Sequence, residues 1–148
     1  VTDYRRSWCK QEIRIDDPKQ VVCTIDDLNK PSPPISSLTF SIKTSRSQHN
    51  TNEIAMISCI AQNKINLDGP TENKTFQAFT LLRKLDQQPL PYDLNTKLKQ
   101  KRDANVQVFA NEKAMLEMFI NKMHLADPDL LVAHNLCGSI IEIMLARI

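Results

Sequence analysis

Glycine is scarce in this sequence: among its 148 residues only Gly69 and Gly138 are glycines. The loops that cradle phosphate groups in P-loop and dinucleotide-binding proteins need several closely spaced glycines, because their backbone must approach the phosphate oxygens. The scarcity of glycine therefore excludes a nucleotide-binding site of either kind.

Metal-binding and acid–base patterns are also missing. The cysteines form no C-x-x-C pair and have no histidine at metal-binding spacing, so we expect no zinc and interpret them as thiols of a reducing compartment. Two of the histidines stand alone, with no partner for acid–base catalysis. These residues are Cys9, Cys23, Cys59 and Cys137, together with His49 and His124.

Long apolar runs are absent as well. No stretch approaches the roughly 18–20 residues that span a bilayer, and no signal pattern precedes Trp8, so we expect no membrane association. Without a secretion signal, the formal glycosylation sequence that begins at Asn73 is interpreted as part of a polar loop. A net charge of +2 is too small to indicate nucleic-acid binding by itself. With 41% hydrophobic and 24% charged residues, the chain has the composition of one folded domain.

Residues 1–34 have the pattern of a β-rich lead-in. Two short β-prone runs, residues 11–15 and 21–25, are separated by polar segments, in which the carboxylate pairs at 16–17 and 26–27 are interpreted as solvated turns. A proline-rich break at residues 31–34 then predicts a boundary, so that residues 35–148 form the main domain.

The main domain opens with three predicted strands. Residues 38–43 alternate with period two, which places Leu38, Phe40 and Ile42 on one face and their neighbours on the other. Residues 53–61 and 75–82 are the second and third strands, and residues 63–73 contain the turn-forming side chains of a hairpin connection.

A polar surface excursion at residues 84–101 and a short strand at residues 106–109 follow. Asn111 is the predicted N-cap of a helix, whose apolar residues recur at helical spacing and are expected to form core rather than a partner groove. These apolar residues are Met115, Met118, Phe119 and Met123.

The last part of the chain predicts a strand and a helix. Residues 130–133 are continuously apolar, which is typical of a central parallel strand buried on both faces. His134 and Asn135 follow at its carboxyl end, where open α/β sheets place their sites. Ser139-x-x-Glu142 matches a capping box at the start of a helix from Ile140. No stop signal precedes Ile148, which predicts that the sequence ends within a larger domain.

Three separated segments resemble family B DNA polymerases. Residues 127–136 with Gly138 are similar to the second exonuclease motif of that family. Residues 38–44, with residues 52–54 shortly after, resemble the first motif of the α-type replicative catalytic subunits, and residues 7–10 resemble their lead-in. The resemblance covers nearly the whole sequence. It implies a truncated RNase H-like, exonuclease-like α/β fold with a mixed sheet, preceded by the short β-rich lead-in.

In proofreading members of the family, carboxylates of the first two motifs hold two divalent ions that activate water and stabilise the leaving oxygen. The resemblance places Ser41, Lys43 and Ile140 at those carboxylate positions. An ammonium 4 Å from a divalent ion is repelled by at most about 8 kcal/mol at an effective dielectric near 20. We therefore expect no catalytic residue and no metal site in this segment; a third motif, with Tyr and Asp, is expected beyond residue 148.

Some polar residues remain as candidates for contacts with nucleic acid. The resemblance implies that Asn135 neighbours the bound strand, whereas its position alone also fits a hydrogen-bonded turn. Glu142 fits either a helix cap or a relocated metal ligand. The basic cluster Lys97, Lys99, Lys101 and Arg102 fits a solvated loop or a sequence-independent, salt-sensitive phosphate contact.

The resemblance also implies what the parent protein does. It predicts a nuclear, DNA-directed DNA polymerase that extends primers, with Mg²⁺ at a polymerase site outside this segment and no cofactor within it. The implied partners are the remaining polymerase domains, an accessory B subunit, primase and template-primer DNA. In this interpretation the segment itself is a structural domain without proofreading. The alternatives are an active metal-dependent 3′–5′ exonuclease fragment and a free-standing interaction module.

Overall fold

The computed structural model describes residues 12–22, 30–47, 50–70, 76–85, 89–101 and 105–148. The chain divides into two compact units, Val1–Pro31 and Ser32–Ile148. In the described part of the first unit the regular structure is a 3-10 turn, Pro18–Gln20, which is capped by the side chain of Asp17.

The two lead-in strands are not observed where the structure can test them. Residues 12–15 and 21–22 have no regular structure and are exposed, so the first of these predictions is wrong. Residue 11 and residues 23–25 lie outside the described residues. Alternation alone does not make a strand, because a strand also needs a neighbour to satisfy its backbone hydrogen bonds. The assignment of residues 1–34 to a neighbouring polymerase domain stays a prediction.

The second unit is built on a five-stranded mixed sheet with strand order β4-β3-β2-β1-β5. Its β2 strand pairs antiparallel with β1 and β3, while β4 pairs parallel with β3 and β5 pairs parallel with β1. This confirms the predicted α/β mixed sheet. The strands are β1 Ile35–Arg46, β2 Asn52–Ile65, β3 Phe76–Arg83, β4 Val106–Phe109 and β5 Leu130–Val132.

The alternation predicted for β1 divides the sheet into two faces. Leu38 and Phe40 are buried and Ile42 packs against the core on what we call the helix face. Thr39, Ser41 and Lys43 are exposed on the opposite, open face. Cross-strand partners share a face, so Cys59 of β2 and Phe79 of β3 lie beside Phe40 on the helix face.

Helices cover the helix face. The longest is α2, Glu112–Ala126, and it begins at Asn111, whose side chain accepts a hydrogen bond from the amide of Ala114 at 2.9 Å. Met115 and Phe119 are fully buried, and the Phe119 ring lies 5.5 Å from that of Phe40. Met118 and Met123 pack at the edge of the same core, so the predicted N-cap and core stripe are confirmed.

The other helices are short. In the predicted surface excursion, Leu94–Gln100 forms α1, a helix without buried residues that the sequence pattern did not indicate, because it carries no apolar stripe. The last helix, α3, spans Ile141–Arg147 and contributes Met144 to the core. A π-helical segment, Leu136–Ile140, immediately precedes it.

The prediction for β5 is wrong in one respect. Within the described part of the chain β5 lies at the edge of the sheet, and Leu130, Leu131 and Val132 remain 49%, 46% and 45% exposed. An apolar run shows that a strand can be buried on both faces, but it carries no information about which neighbours are present to bury it. The strand is held in register by Asp129, whose carboxylate accepts from the amide and hydroxyl of Ser36 at 2.7 and 2.8 Å.

Candidate functional site

An open cavity of about 580 Å³ lies where β1, the carboxyl end of β5 and the start of α3 meet. This is the end of the sheet at which the sequence predicted a site. Both polar and apolar side chains line it: Ile42, Thr44, His134, Asn135, Ser139, Ile140 and Ile143.

The turn between β5 and α3 gives the cavity its shape. Asn135 adopts the left-handed conformation with φ 54°, and its side-chain amide donates to the Ser139 hydroxyl at 3.4 Å. The capping box predicted from Ser139 and Glu142 is wrong. Ser139 lies inside the π-helical segment, and α3 begins after Ile140 without a side-chain cap. The i→i+5 bonding inserts one residue and moves Ser139 out of the N-cap position.

Gly138 leaves room for the Asn135 side chain to fold back over this turn. A Cβ atom built on Gly138 would overlap the Asn135 side-chain oxygen, so a larger residue there must displace that side chain. The sequence pattern marked Gly138 as part of a motif, but it did not reveal this close approach, which depends on how the Asn135 side chain folds back over the turn.

Replacing Gly138 with alanine is expected to lower the free energy of unfolding by up to about 1 kcal/mol, because the new methyl group displaces the exposed Asn135 side chain and breaks its hydrogen bond to Ser139. In an Asn135→Gly background the obstacle is gone and φ 54° remains accessible. There the same Gly138→Ala change should be neutral or stabilising, since alanine favours helical backbone over glycine. Urea unfolding of the wild type, the two single variants and the double variant measures this double-mutant cycle. Equal costs of Gly138→Ala in both backgrounds would show that Asn135 is not the obstacle.

The three residues that the resemblance places at carboxylate positions do not lie together, as a shared metal site would need. Ser41 and Lys43 share the open face of β1, whereas Ile140 is buried in the core under the helices, on the opposite face. The side chains of β1 that line the cavity are Ile42 and Thr44 instead. Thr44 follows Ile42 by two residues and therefore shares its face, and it was missed because the predicted strand stopped at Lys43 whereas β1 continues to Arg46.

The cavity lining does not fit a two-metal centre. A pair of divalent ions needs several carboxylate oxygens, and the lining offers hydroxyls, one carboxamide and one imidazole. Glu142 is exposed on α3 outside the lining, and Asp129 is engaged with Ser36. Among the described residues no group of three or more His, Cys, Asp or Glu side chains is arranged to hold a metal ion.

The basic cluster lies away from this cavity. Lys97 and Lys99 are exposed on α1 and Lys101 follows at its end, while Arg102 lies outside the described residues. Lys97 forms an ion pair with Asp93 at 2.6 Å, which offsets part of its charge. None of the described helices is long and apolar enough to cross a membrane.

Comparison with known protein families shows which family this chain belongs to. The family described as "DNA polymerase family B, exonuclease domain" matches residues 2–148, which is nearly the whole chain. The chain belongs to this family.

Several members of the family B polymerases are similar along the full sequence. The DNA polymerase alpha catalytic subunit of Oxytricha trifallax is 54% identical over 149 residues, and that of Sterkiella nova is 50% identical over 149 residues; each match covers 100% of this chain. The Xenopus laevis subunit of the same name is 36% identical over 144 residues, or 96% of the chain. The chain spans 10% of the length of each of these relatives.

Proposed function

We propose that this family B exonuclease-like domain is part of a DNA polymerase alpha catalytic subunit and that it serves as a structural domain without proofreading activity. The observation that carries the proposal is the chemistry of the cavity at the end of the sheet. Its lining contains no carboxylate, although the resemblance places the second exonuclease motif in this region. The similarity of this chain, along its whole length, to a part of catalytic subunits of that name supports this parent.

Ser41, Lys43 and Ile140 each argue against a metal site, for separate reasons. Ser41 offers a hydroxyl, which is a weak ligand for a hard cation, and Lys43 brings a positive charge that repels one. Ile140 is buried and offers no ligand atom. Because Ile140 and the other two lie on opposite faces, a single substitution in this chain does not rebuild an acidic site.

For the parent protein we propose DNA-directed DNA synthesis that extends primers, with Mg²⁺ at a polymerase site outside this segment. The partners in this proposal are the other polymerase domains, an accessory subunit, primase and the template-primer DNA, in the nucleus. Within that assembly the domain would brace the polymerase core and flank the path of the template strand.

An active exonuclease built from relocated acids is the competing function. A purified sample of the chain is incubated with Mg²⁺ or Mn²⁺ and 5′-labelled single-stranded DNA, next to an active family B exonuclease as positive control. We expect no shortening of the labelled strand. Shortening that Glu142→Ala or Asp129→Ala abolishes, while exposed Glu117→Ala leaves it intact, would overturn the proposal.

Contact with DNA through the basic cluster is a separate part of the proposal. Phosphate contacts lose affinity as salt rises, because bound counterions are released. Removing Lys99 and Lys101 together should weaken binding to single-stranded DNA about equally for all sequences and reduce its salt dependence. Fluorescence anisotropy at several salt concentrations measures this, with exposed Lys113→Ala on α2 as the matched control. Unchanged binding and salt slope would show a solvated surface instead.

A further inference from the structure

The side chains of the open face stand in rows that cross the sheet, because paired residues of neighbouring strands share a face. The row nearest the carboxyl end of β1 consists of Lys43, Met56, Leu82 and Val108. The rows behind it, which begin at Ser41 and Thr39 on β1, contain hydroxyl, amide and apolar side chains and no charged one. The face therefore combines apolar surface with a single positive charge at Lys43.

The apolar side chains of the open face are not covered in the described part of the second unit. Those on four of its strands are between 37% and 52% exposed: Ile60, Phe76, Val108, Leu130 and Val132. Sheets that contain parallel strand pairs, as β1 with β5 and β3 with β4, usually carry helices on both faces. Apolar side chains clustered on one exposed face mark a surface that another protein segment covers.

Lys43 restricts what can cover this face. It is exposed, and it forms no ion pair with another described residue. Burying an ammonium without a counter-charge is strongly unfavourable, so the covering segment must bring a carboxylate to Lys43. The open face of a second copy brings another unpaired lysine instead. A nucleic-acid strand carries a phosphate at every nucleotide, and one cation does not balance that charge.

The similar catalytic subunits indicate where the covering segment comes from. This chain spans 10% of the length of each of these relatives, so most of such a polypeptide lies outside it. A segment of the same polypeptide docks in an intramolecular step, at an effective concentration that a separate protein does not reach. The rest of the polypeptide is therefore favoured over a separate partner.

We propose that the open face is the docking surface for an amphipathic helix of the same polypeptide, from outside these 148 residues, and that a carboxylate of this helix pairs with Lys43. The apolar side of the helix packs on Ile60 and the half-exposed side chains around it. This inference rests on the proposed parent and names one surface through which the domain braces the polymerase.

Zero-length carbodiimide coupling of the complete polypeptide tests the proposal, because it joins an amine to a carboxylate only where the two are in contact. Mass spectrometry is expected to find Lys43 joined to an aspartate or glutamate outside the 148 residues. Lys43→Arg keeps the charge but has no amine to couple, so this cross-link should be lost. The ion pair between Lys97 and Asp93, 2.6 Å apart, is the internal control and should couple in both proteins.

A mixture of isotope-labelled and unlabelled polypeptide shows whether the cross-link lies within one molecule. Two results would overturn the proposal: no coupling of Lys43 while Lys97 couples to Asp93, or coupling of Lys43 to a second copy or a different protein. Primer extension by the same polypeptide tests the parent separately. Its absence would overturn the proposed function and leave the cross-link result intact, because docking needs only a longer polypeptide.

Discussion

Replacing Glu112 with alanine is expected to lower the free energy of unfolding by about 3–5 kcal/mol. The Glu112 carboxylate accepts from the amide of Ile54, a residue with no exposed surface, and pairs with Arg147. Its removal leaves a buried donor without a partner and an arginine without its main counter-charge. The carboxylate also sits at the first residue of α2, where a negative charge is favoured by the helix dipole.

Two further variants separate these contributions. Glu112→Gln keeps an oxygen for the Ile54 amide but loses the charge, so we expect it to cost about half as much as Glu112→Ala. Glu117→Ala, at an exposed position of the same helix, should change stability by less than about 0.5 kcal/mol. Urea unfolding followed by circular dichroism gives all three values. A cost for Glu112→Ala no greater than that of Glu117→Ala would contradict the role assigned to the Glu112 carboxylate.

The stability of the chain should also fall steeply in alkali because of Cys59. Burial between Phe40 and Phe79 raises the pKa of the Cys59 thiol from 9.0 to about 12, and nearby Lys122 offsets only part of this rise. Since the pKa is higher in the folded state, the thiol contributes its full stability below pH 9, and this contribution is lost as the pH rises toward 12. One pKa unit corresponds to about 1.4 kcal/mol, so the loss reaches about 3 kcal/mol near pH 11.

Cys59→Ala is the variant that isolates this effect. Near neutral pH the variant should be less stable than the wild type, because removal of the sulfur leaves a small void. Between pH 8 and pH 11, however, the free energy of unfolding of the wild type should fall by about 3 kcal/mol more than that of Cys59→Ala. Exposed Cys137→Ala serves as the control and should retain the wild-type pH dependence. Parallel pH profiles for the wild type and Cys59→Ala would show that the buried thiol is not the source.

The family could be recognised from the sequence alone, because the segments that resemble its motifs are short and continuous. The segment that resembles the first motif lies on β1, and the one that resembles the second lies on β5 and the turn that follows it, so each can be recognised without knowing the fold. The same holds for the N-cap at Asn111 and for the buried stripe that contains Met115 and Phe119, because a helix brings residues three and four apart onto one side. The three hairpin strands were predictable for the corresponding reason, a period of two.

Other features depend on neighbours that are distant in the sequence. The exposed position of β5 reflects which strands lie beside it, and the cavity at Thr44 reflects how the turn after β5 and the start of α3 pack beside β1. The π-helical turn displaced Ser139 from the cap that its spacing predicted. In each case the local pattern is compatible with more than one arrangement, and packing against another element selects one.

The sequence by itself determined the family, the three hairpin strands and the capped helix α2, and it carries no acid at Ser41, Lys43 and Ile140, the positions that the resemblance assigns to the motifs. The tertiary structure alone decided that Ile140 faces away from Ser41 and Lys43, and that Glu53, Arg83, Glu112 and Arg147 meet at one corner. Periodicity fixes which side of its own element a residue occupies. Which side chains come within hydrogen-bonding distance depends on how the elements pack, and residues almost a hundred positions apart, such as Glu53 and Arg147, carry no local signal of their contact.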